Sequence, residues 1–304
     1  MRRAVRFLLG LLLILPIAAG IVGWIVAPWF LHPMRRALTA DLIHNADIAF
    51  AQIHAQREDF RVTARDGAQL RGWKVRASQP NGDWVLLFHG VADNRVGVVE
   101  HALVLLPAGY DVVLMDARAH GESGGEIATY GWIERHDTQD IVAALEASEH
   151  PRHLFALGES MGAGIALQSA AVEPRIEAVA AEASFASLRE ASYDYAGLRR
   201  YPWIGKTLFA PGKWTTIYRA EDIAKLPAAE VSPVKAVAAR AFPILLICDG
   251  ADVALPCRHT KMIFEAATGR KEMWIVPEAY HTAAIGYQPA EFQRRVLAFF
   301  DSAR

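Results

Sequence analysis

The chain has 304 residues, 53% hydrophobic and 21% charged, with a formal net charge of −1. That suits one moderately large globular domain with an appendage, and with no basic stripe among scattered Lys and Arg it excludes a nucleic-acid partner. No tract is low in complexity and no period of 20–50 residues recurs.

The N-terminus carries Arg2, Arg3 and Arg6, after which Phe7 to Leu31 holds no charged residue. Such a run is long enough to cross a bilayer. Pro16 and Pro28 are tolerable there, and Trp24, Trp29 and Phe30 stand where an interfacial aromatic belt forms. The small residues Ile17 to Gly20 offer a cleavage site, but the apolar run continues past them, so residues 1–33 read as an uncleaved single-pass signal-anchor. Three arginines precede the span and Arg35 and Arg36 follow it. The positive-inside rule then favours an exported catalytic domain, periplasmic or extracellular.

Met34 to Gln56 reads as a connecting helix (residues 34–57 as a segment), with Leu38, Leu42, Ile43 and Ala46 on one face. The next stretch alternates around Asp66-Gly67, a hairpin signal. Beyond it, short apolar strands alternate with helices. The strands are WVLLFHG, YDVVLMDA, HLFALG, IEAVAAEAS, FPILLICDG and EMWIVP. The helices are Asn94–Leu106, Thr138–Ser148, Met161–Val172, Thr260–Ala267 and Pro289–Ser302. That rhythm predicts an α/β domain over 58–304, a mostly parallel sheet of about eight strands with helices on both faces. Ligands of such sheets bind beyond the carboxyl ends of the strands. Residues 185–242, rich in Tyr, Trp and Pro, break the rhythm and read as a cap insertion. Cys248 and Cys257 have no zinc spacing and are expected as one buried strand thiol and one loop thiol, with a disulfide open to them in an oxidising compartment.

Ser160 stands between Gly158 and Gly162 in the sequence GESMG, where a strand meets a helix. This is the G-x-S-x-G nucleophile elbow: a sharp turn lifts the hydroxyl above the sheet, at a helix N-terminus that favours developing negative charge. A serine hydroxyl needs a base, and the base needs a carboxylate to orient it. Two histidines follow Ser160. His281, in the loop before the last helix, is the candidate base, and His259 is set aside. Asp252 is the candidate acid, and Asp249, which ends its strand, is the alternative, with an Asp-Gly turn as its other role. The backbone N–H groups of Met161 and Val91 are the candidate oxyanion hole. His89, His120 and Ser123 are expected to stabilise loops.

With these motifs in place, residues 59–303 resemble the alpha/beta-hydrolase superfamily of serine hydrolases. FHGVADNR resembles its oxyanion loop, DARAHGESGG its Asp-x-Arg-Gly-His-Gly-x-Ser-Gly-Gly run with Ala119 in place of the usual glycine, and DGADVALP and AYHT its acid and histidine loops. The segment SPVKAVAARAFPILLI resembles the return from the cap in membrane-anchored abhydrolase-domain proteins, among which are depalmitoylases, lysophospholipases and monoacylglycerol lipases. The resemblance implies a hydrolase cleaving a carboxylic ester or thioester, of a lipid or other acyl-bearing small molecule, with no metal or organic cofactor. An acyltransferase using the same residues, or a binding protein on the same fold, is the alternative. The cap residues Tyr193, Tyr195, Tyr201, Trp203 and Trp214 stand equally for an acyl site, a bilayer contact or a cap core. Arg199 and Arg200 are expected to be solvated.

Overall fold

The computed structural model describes residues 2–197, 199 and 201–304, without the side chains of 2–9, 11–13 and 202. The side chains of Arg2, Arg3 and Arg6, and Arg200 as a whole, therefore lie outside the described residues. The chain opens with α1 (Arg2–Leu31), whose stretch Ile14–Leu31 is long and apolar enough to cross a membrane. It continues into α2 (Ala40–Gln52). This helix is shorter at both ends than the expected 34–57 segment. Thr39 caps it by accepting from Leu42 N–H, and the chain after Ile53 turns to start a strand at Gln56.

The hairpin β1 (Gln56–Thr63) and β2 (Gln69–Arg76) is antiparallel and pairs Thr63 with Gln69. The turn between them uses Gly67 at a φ of 91°, a conformation that costs glycine little. After β3 (Trp84–Phe88) come α3 (Val99–Leu105), β4 (Asp111–Met115), α4 (Glu134–Glu149), β5 (Leu154–Glu159), α5 (Met161–Val172) and β6 (Ile176–Glu182). The insertion holds α6 (Leu188–Ala196), α7 (Pro202–Lys206), α8 (Ala210–Ala224) and α9 (Pro233–Ala239). The chain then completes β7 (Ile244–Asp249), α10 (Arg258–Ala266), β8 (Lys271–Val276), α11 (Ala284–Tyr287) and α12 (Pro289–Asp301).

The eight strands form one sheet in the order β1-β2-β4-β3-β5-β6-β7-β8, parallel from β4 to β8. Every residue of β3, β4, β5 and β7 is buried, which is why those strands are apolar throughout rather than alternating. Successive side chains still point to opposite faces. Leu86, Val113, Ala156 and Leu246 join α4, α5, α9 and α10 in one core. Val85, Leu87, Val112 and Leu245 join α2, α3, α11 and α12 in the other. Phe155 of β5 stacks on Phe300 of α12 at 4.9 Å between ring centroids, fixing the last helix against the sheet.

The insertion divides. Val237 of α9 packs in the first of these cores, so α9 belongs to the layer over the sheet. The cap proper is α6 to α8, with a core of its own formed by Phe185, Ala191, Ala220, Leu226 and Val231 together with Leu31 of α1. Sequence reading put all of 185–242 in the cap because nothing in a seven-residue helix reports which layer it joins.

Cys248 and Cys257 are joined as a disulfide, with Cα atoms 5.5 Å apart, in place of the two separate thiols expected. Cys248 is the penultimate residue of β7 and Cys257 stands just before α10, so the link closes the loop that carries Asp252. A closed loop of about ten residues constrains the unfolded chain by roughly 2–3 kcal/mol. Cys257→Ser is therefore expected to lower unfolding free energy by about that amount, read by urea denaturation without reductant; an unchanged midpoint would remove the disulfide from the account of this loop.

Candidate active site

The loops after β3, β5, β7 and β8 build the site. Ser160 sits between β5 and α5 with φ 52° and ψ −117°, a strained conformation for a residue with a side chain. The turn tolerates no bulk on either side. A Cβ on Gly162 would fall 2.2 Å from the carbonyl oxygen of Phe88, and one on Gly158 would fall 2.5 Å from that of Gly162. The two glycines let β3, β5 and α5 converge, and that convergence pushes the serine outward.

His281 stands on the loop between β8 and α11, with its Nε2 2.8 Å from Ser160 Oγ and its Nδ1 2.6 Å from Asp252 Oδ2. An ionised Asp252 accepts only, so it assigns the proton to Nδ1 and leaves Nε2 to accept from the serine hydroxyl. Asp252 Oδ1 accepts from the N–H groups of Ala254 and Leu255 at 2.7 and 3.0 Å. Burial alone raises this carboxyl, but the hydrogen bond and charge of His281 and those two N–H groups outweigh it and hold it below the usual aspartate range. The acid therefore stays ionised under the histidine. Of the residues singled out from sequence, the structure brings together Ser160, His281 and Asp252.

Met161 is the first residue of α5, and Val91 follows the Gly90 that ends the turn after β3. Among the described residues, neither of their N–H groups donates to an acceptor within the chain. The rim around the triad is apolar and open: Val91, Val253 and Tyr280 are exposed, while Ser160 itself is nearly covered.

His259 is far from this chemistry. It is fully buried, its Nε2 lies 2.7 Å from Asp194 Oδ2 on α6, and its Nδ1 accepts from Ala186 N–H. It ties the cap to α10. His89 ties the loop after β3 to the loop after β4: its Nδ1 lies 2.7 Å from Gly90 O and its Nε2 accepts from Ala117 N–H at 3.0 Å. His120 Nδ1 lies 2.8 Å from Arg118 O, and Ser123 Oγ donates to Asp116 O while accepting from Arg71 N–H. Burial pushes His120 down to about 4, so it is neutral at physiological pH.

Sequence reasoning missed a set of buried acids behind the triad. Glu159, Glu182 and Asp249 end β5, β6 and β7, and Glu159 is in register with Glu182. Each lies against a loop of the site. Glu159 stands beside Gly90 in the loop after β3, where an added Cβ would fall 3.6 Å from the Glu159 Oε1. Glu182 accepts from Ala284 N–H at 2.9 Å and Asp249 from Thr282 N–H at 2.7 Å, on either side of Ala283 just beyond His281. Asp249, the alternative acid, thus supports the histidine loop while Asp252 meets the ring. The signal was present as a carboxylate closing each of three otherwise apolar strands.

Burial beside another carboxylate favours the protonated forms of Glu159 and Asp249. Burial, then Glu182, raises Glu159 to about 7, and burial, then Glu182, raises Asp249 as well. His101, buried beside them at 3.9 Å from Glu182, is lowered by burial but raised more by Glu182 and Glu159. The folded protein therefore binds more protons here than the unfolded chain, and stability falls as pH rises through the interval. For Glu159 that interval runs from about 4.5 to about 7. Unfolding free energy measured across it is expected to fall less steeply in Glu159→Gln than in the parent; equal slopes would contradict the raised carboxyl.

A mostly parallel eight-stranded sheet, with a serine on a strand-to-helix turn and an acid and a histidine on the loops after its last two strands, is the alpha/beta-hydrolase fold. The chain is an alpha/beta hydrolase in fold. Residues 79–216 match the family model described as Hydrolase_4, serine aminopeptidase, S33. The chain is 26% identical to YqkD of Bacillus subtilis over 267 residues, which cover 85% of this chain and 83% of YqkD. It is 25% identical to YfhR of Escherichia coli K12 over 251 residues, 80% of each chain. Among solved structures it is similar to the esterase Pf2001 of Pyrococcus furiosus, with a TM-score of 0.70 and 22% identity, over 89% of this chain and 98% of that one. It is also similar to an acylaminoacyl peptidase of Pyrococcus horikoshii, with a TM-score of 0.62 and 17% identity, over 81% of this chain and 41% of the peptidase.

Proposed function

We propose that this chain is a serine hydrolase that cleaves a carboxylic ester or thioester of a lipid or other acyl-bearing molecule through an acyl-enzyme. The observation that carries the reading is the unbroken hydrogen-bonded line from Asp252 through His281 to a serine held at positive φ. In this reading His281 Nε2 takes the Ser160 proton as Oγ attacks the acyl carbon. The oxygen that becomes negative is received by the N–H groups of Met161 and Val91, at the positive end of α5. Asp252, already ionised, stabilises the imidazolium. The imidazolium then protonates the leaving alcohol or thiol, and water repeats the sequence to release the acid.

The acyl preference is supported by the open apolar rim of Val91, Val253 and Tyr280 and by the neighbouring apolar helix. α1 is proposed to be an uncleaved membrane anchor, and the Cys248–Cys257 disulfide supports placing the catalytic domain on the exported, oxidising side.

The test uses the full chain in detergent micelles with p-nitrophenyl esters of increasing acyl length and an aminoacyl p-nitroanilide. Ester turnover should fall by roughly 10³-fold or more in Ser160→Ala and in His281→Ala, with a preference for longer acyl chains. Turnover that survives both substitutions would remove the triad from the mechanism. Faster cleavage of the anilide than of every ester would replace the esterase reading with a peptidase one.

A further inference from the structure

The apolar helix is not a free tether. Gly20, Gly23, Ala27 and Leu31 recur every three or four residues and so share one face of α1. That face meets the cap. A Cβ on Gly23 would fall 2.0 Å from the carbonyl oxygen of Gly212, so α1 and α8 touch backbone to backbone there. Thr215 Oγ1 donates to Gly20 O at 2.7 Å and Thr216 Oγ1 to Gly23 O at 3.0 Å. Trp24 stacks on Tyr218 of α8, and Leu31 is buried in the cap core. Small residues at the crossing with hydroxyls bonded to facing carbonyls are the means by which helices pair inside lipid.

The other face of α1 is bare. Ile14, Ile17, Ile21 and Ile25, with Val22 and Trp29, are each more than half exposed. Ile21, Val22, Ile25 and Trp29 lie at the same heights along the helix as the residues that hold the cap. From Gly20 to Leu31 the helix climbs about 16 Å. Lipid that covers Ile21 and Ile25 therefore reaches the level at which α8 is docked.

Resting on the proposal that α1 crosses a bilayer, we propose that the cap is itself a membrane-docking surface, with Trp214 and Tyr218 of α8 and Trp203 of α7 lodged in the interfacial zone of a lipid bilayer. These three side chains are 59, 65 and 64% exposed, an unusual display for large aromatics and the kind found where water meets hydrocarbon. A cation stands among them: Arg219, part-exposed, lies over Trp24, its stem suited to the apolar layer and its head to the phosphates of the headgroups. Lys213 is buried beneath, over the rings of Tyr193 and Trp214. α8 also carries Glu221 and Asp222, which fits the interface and not the hydrocarbon centre.

The docking turns the catalytic edge toward the bilayer. Leu31 O accepts from Ala128 N–H beyond β4, Arg36 pairs with Asp93 in the oxyanion loop, and Leu31 shares its cluster with Leu255 of the acid loop. An acyl chain leaving the bilayer beside the cap meets the strand ends that hold Ser160.

The experiment places one cysteine at a time in the full chain, as Ile21→Cys, Trp214→Cys, Tyr218→Cys and, on the far side of the sheet, Arg294→Cys. The native cysteines are already joined, so each introduced thiol is the one that takes an environment-sensitive fluorophore. The protein is reconstituted into vesicles of phosphatidylcholine and phosphatidylglycerol. Labels at 21, 214 and 218 should be quenched several-fold more strongly by nitroxide-bearing phosphatidylcholine than the label at 294, and several-fold less by iodide. Labels at 214 and 218 that behave like 294 while 21 remains lipid-quenched would overturn the docked cap and leave the anchor standing. A label at 21 that is also open to iodide would overturn the anchor reading and the docked cap with it.

Discussion

The site depends on one close approach. β3, β5 and the start of α5 converge until backbone meets backbone, and only glycines at 158 and 162 permit it. The convergence does two things at once. It forces Ser160 into a positive-φ turn, and it sets the N–H of Met161 at the start of α5. A single methyl group at Gly162 would separate the nucleophile from both its neighbours, because the obstacle is the carbonyl of Phe88 and not a side chain that could swing aside.

Strain of this kind persists only where the surroundings over-determine it. Here the buried acids supply much of that determination. Glu159 packs beside Gly90, while Glu182 and Asp249 tie the histidine loop to the sheet through Ala284 and Thr282. Burial destabilises the charged forms of Glu159 and Asp249, which is the cost of gripping loops from below with acceptors that solvent does not reach. The disulfide grips the remaining loop, that of Asp252, from its two ends. Each of the loops that meet at Ser160 is thus held by a different device, and none of those devices contacts the serine hydroxyl.

How much of this was legible in the sequence follows from what each signal reports. The elbow, the boundaries Met161–Val172 of α5, and the all-apolar strands follow from local chemistry: glycine spacing, an apolar run of helical length, and burial on both faces. His281 was reachable by chain order and Asp252 by its distance beyond the strand end. The role of Asp249 was not, because an aspartate before glycine reads as turn chemistry whether or not it also accepts from Thr282. The pairing of Cys248 with Cys257 was not, because spacing alone does not say which way a strand side chain points. The layer that α9 joins is set by contacts with α5 formed across more than sixty residues of chain.

The least legible feature is the one that joins the two halves of the molecule. Hydropathy marks α1 by its mean, and a mean does not distinguish its two faces. The glycine stripe at 20 and 23 and the isoleucine stripe at 14, 17, 21 and 25 contribute to the same apolar run, yet one is covered by α8 and the other stands more than half exposed among the described residues. The distinction matters for how the domain is held. A helix joined only by a flexible linker would leave the catalytic edge free to turn in any direction. A helix clasped by Thr215 and Thr216, stacked on Tyr218 and buried at Leu31 in the cap core, fixes the angle between its axis and the sheet. The strand ends that hold Ser160 thereby keep a set distance and orientation to α1.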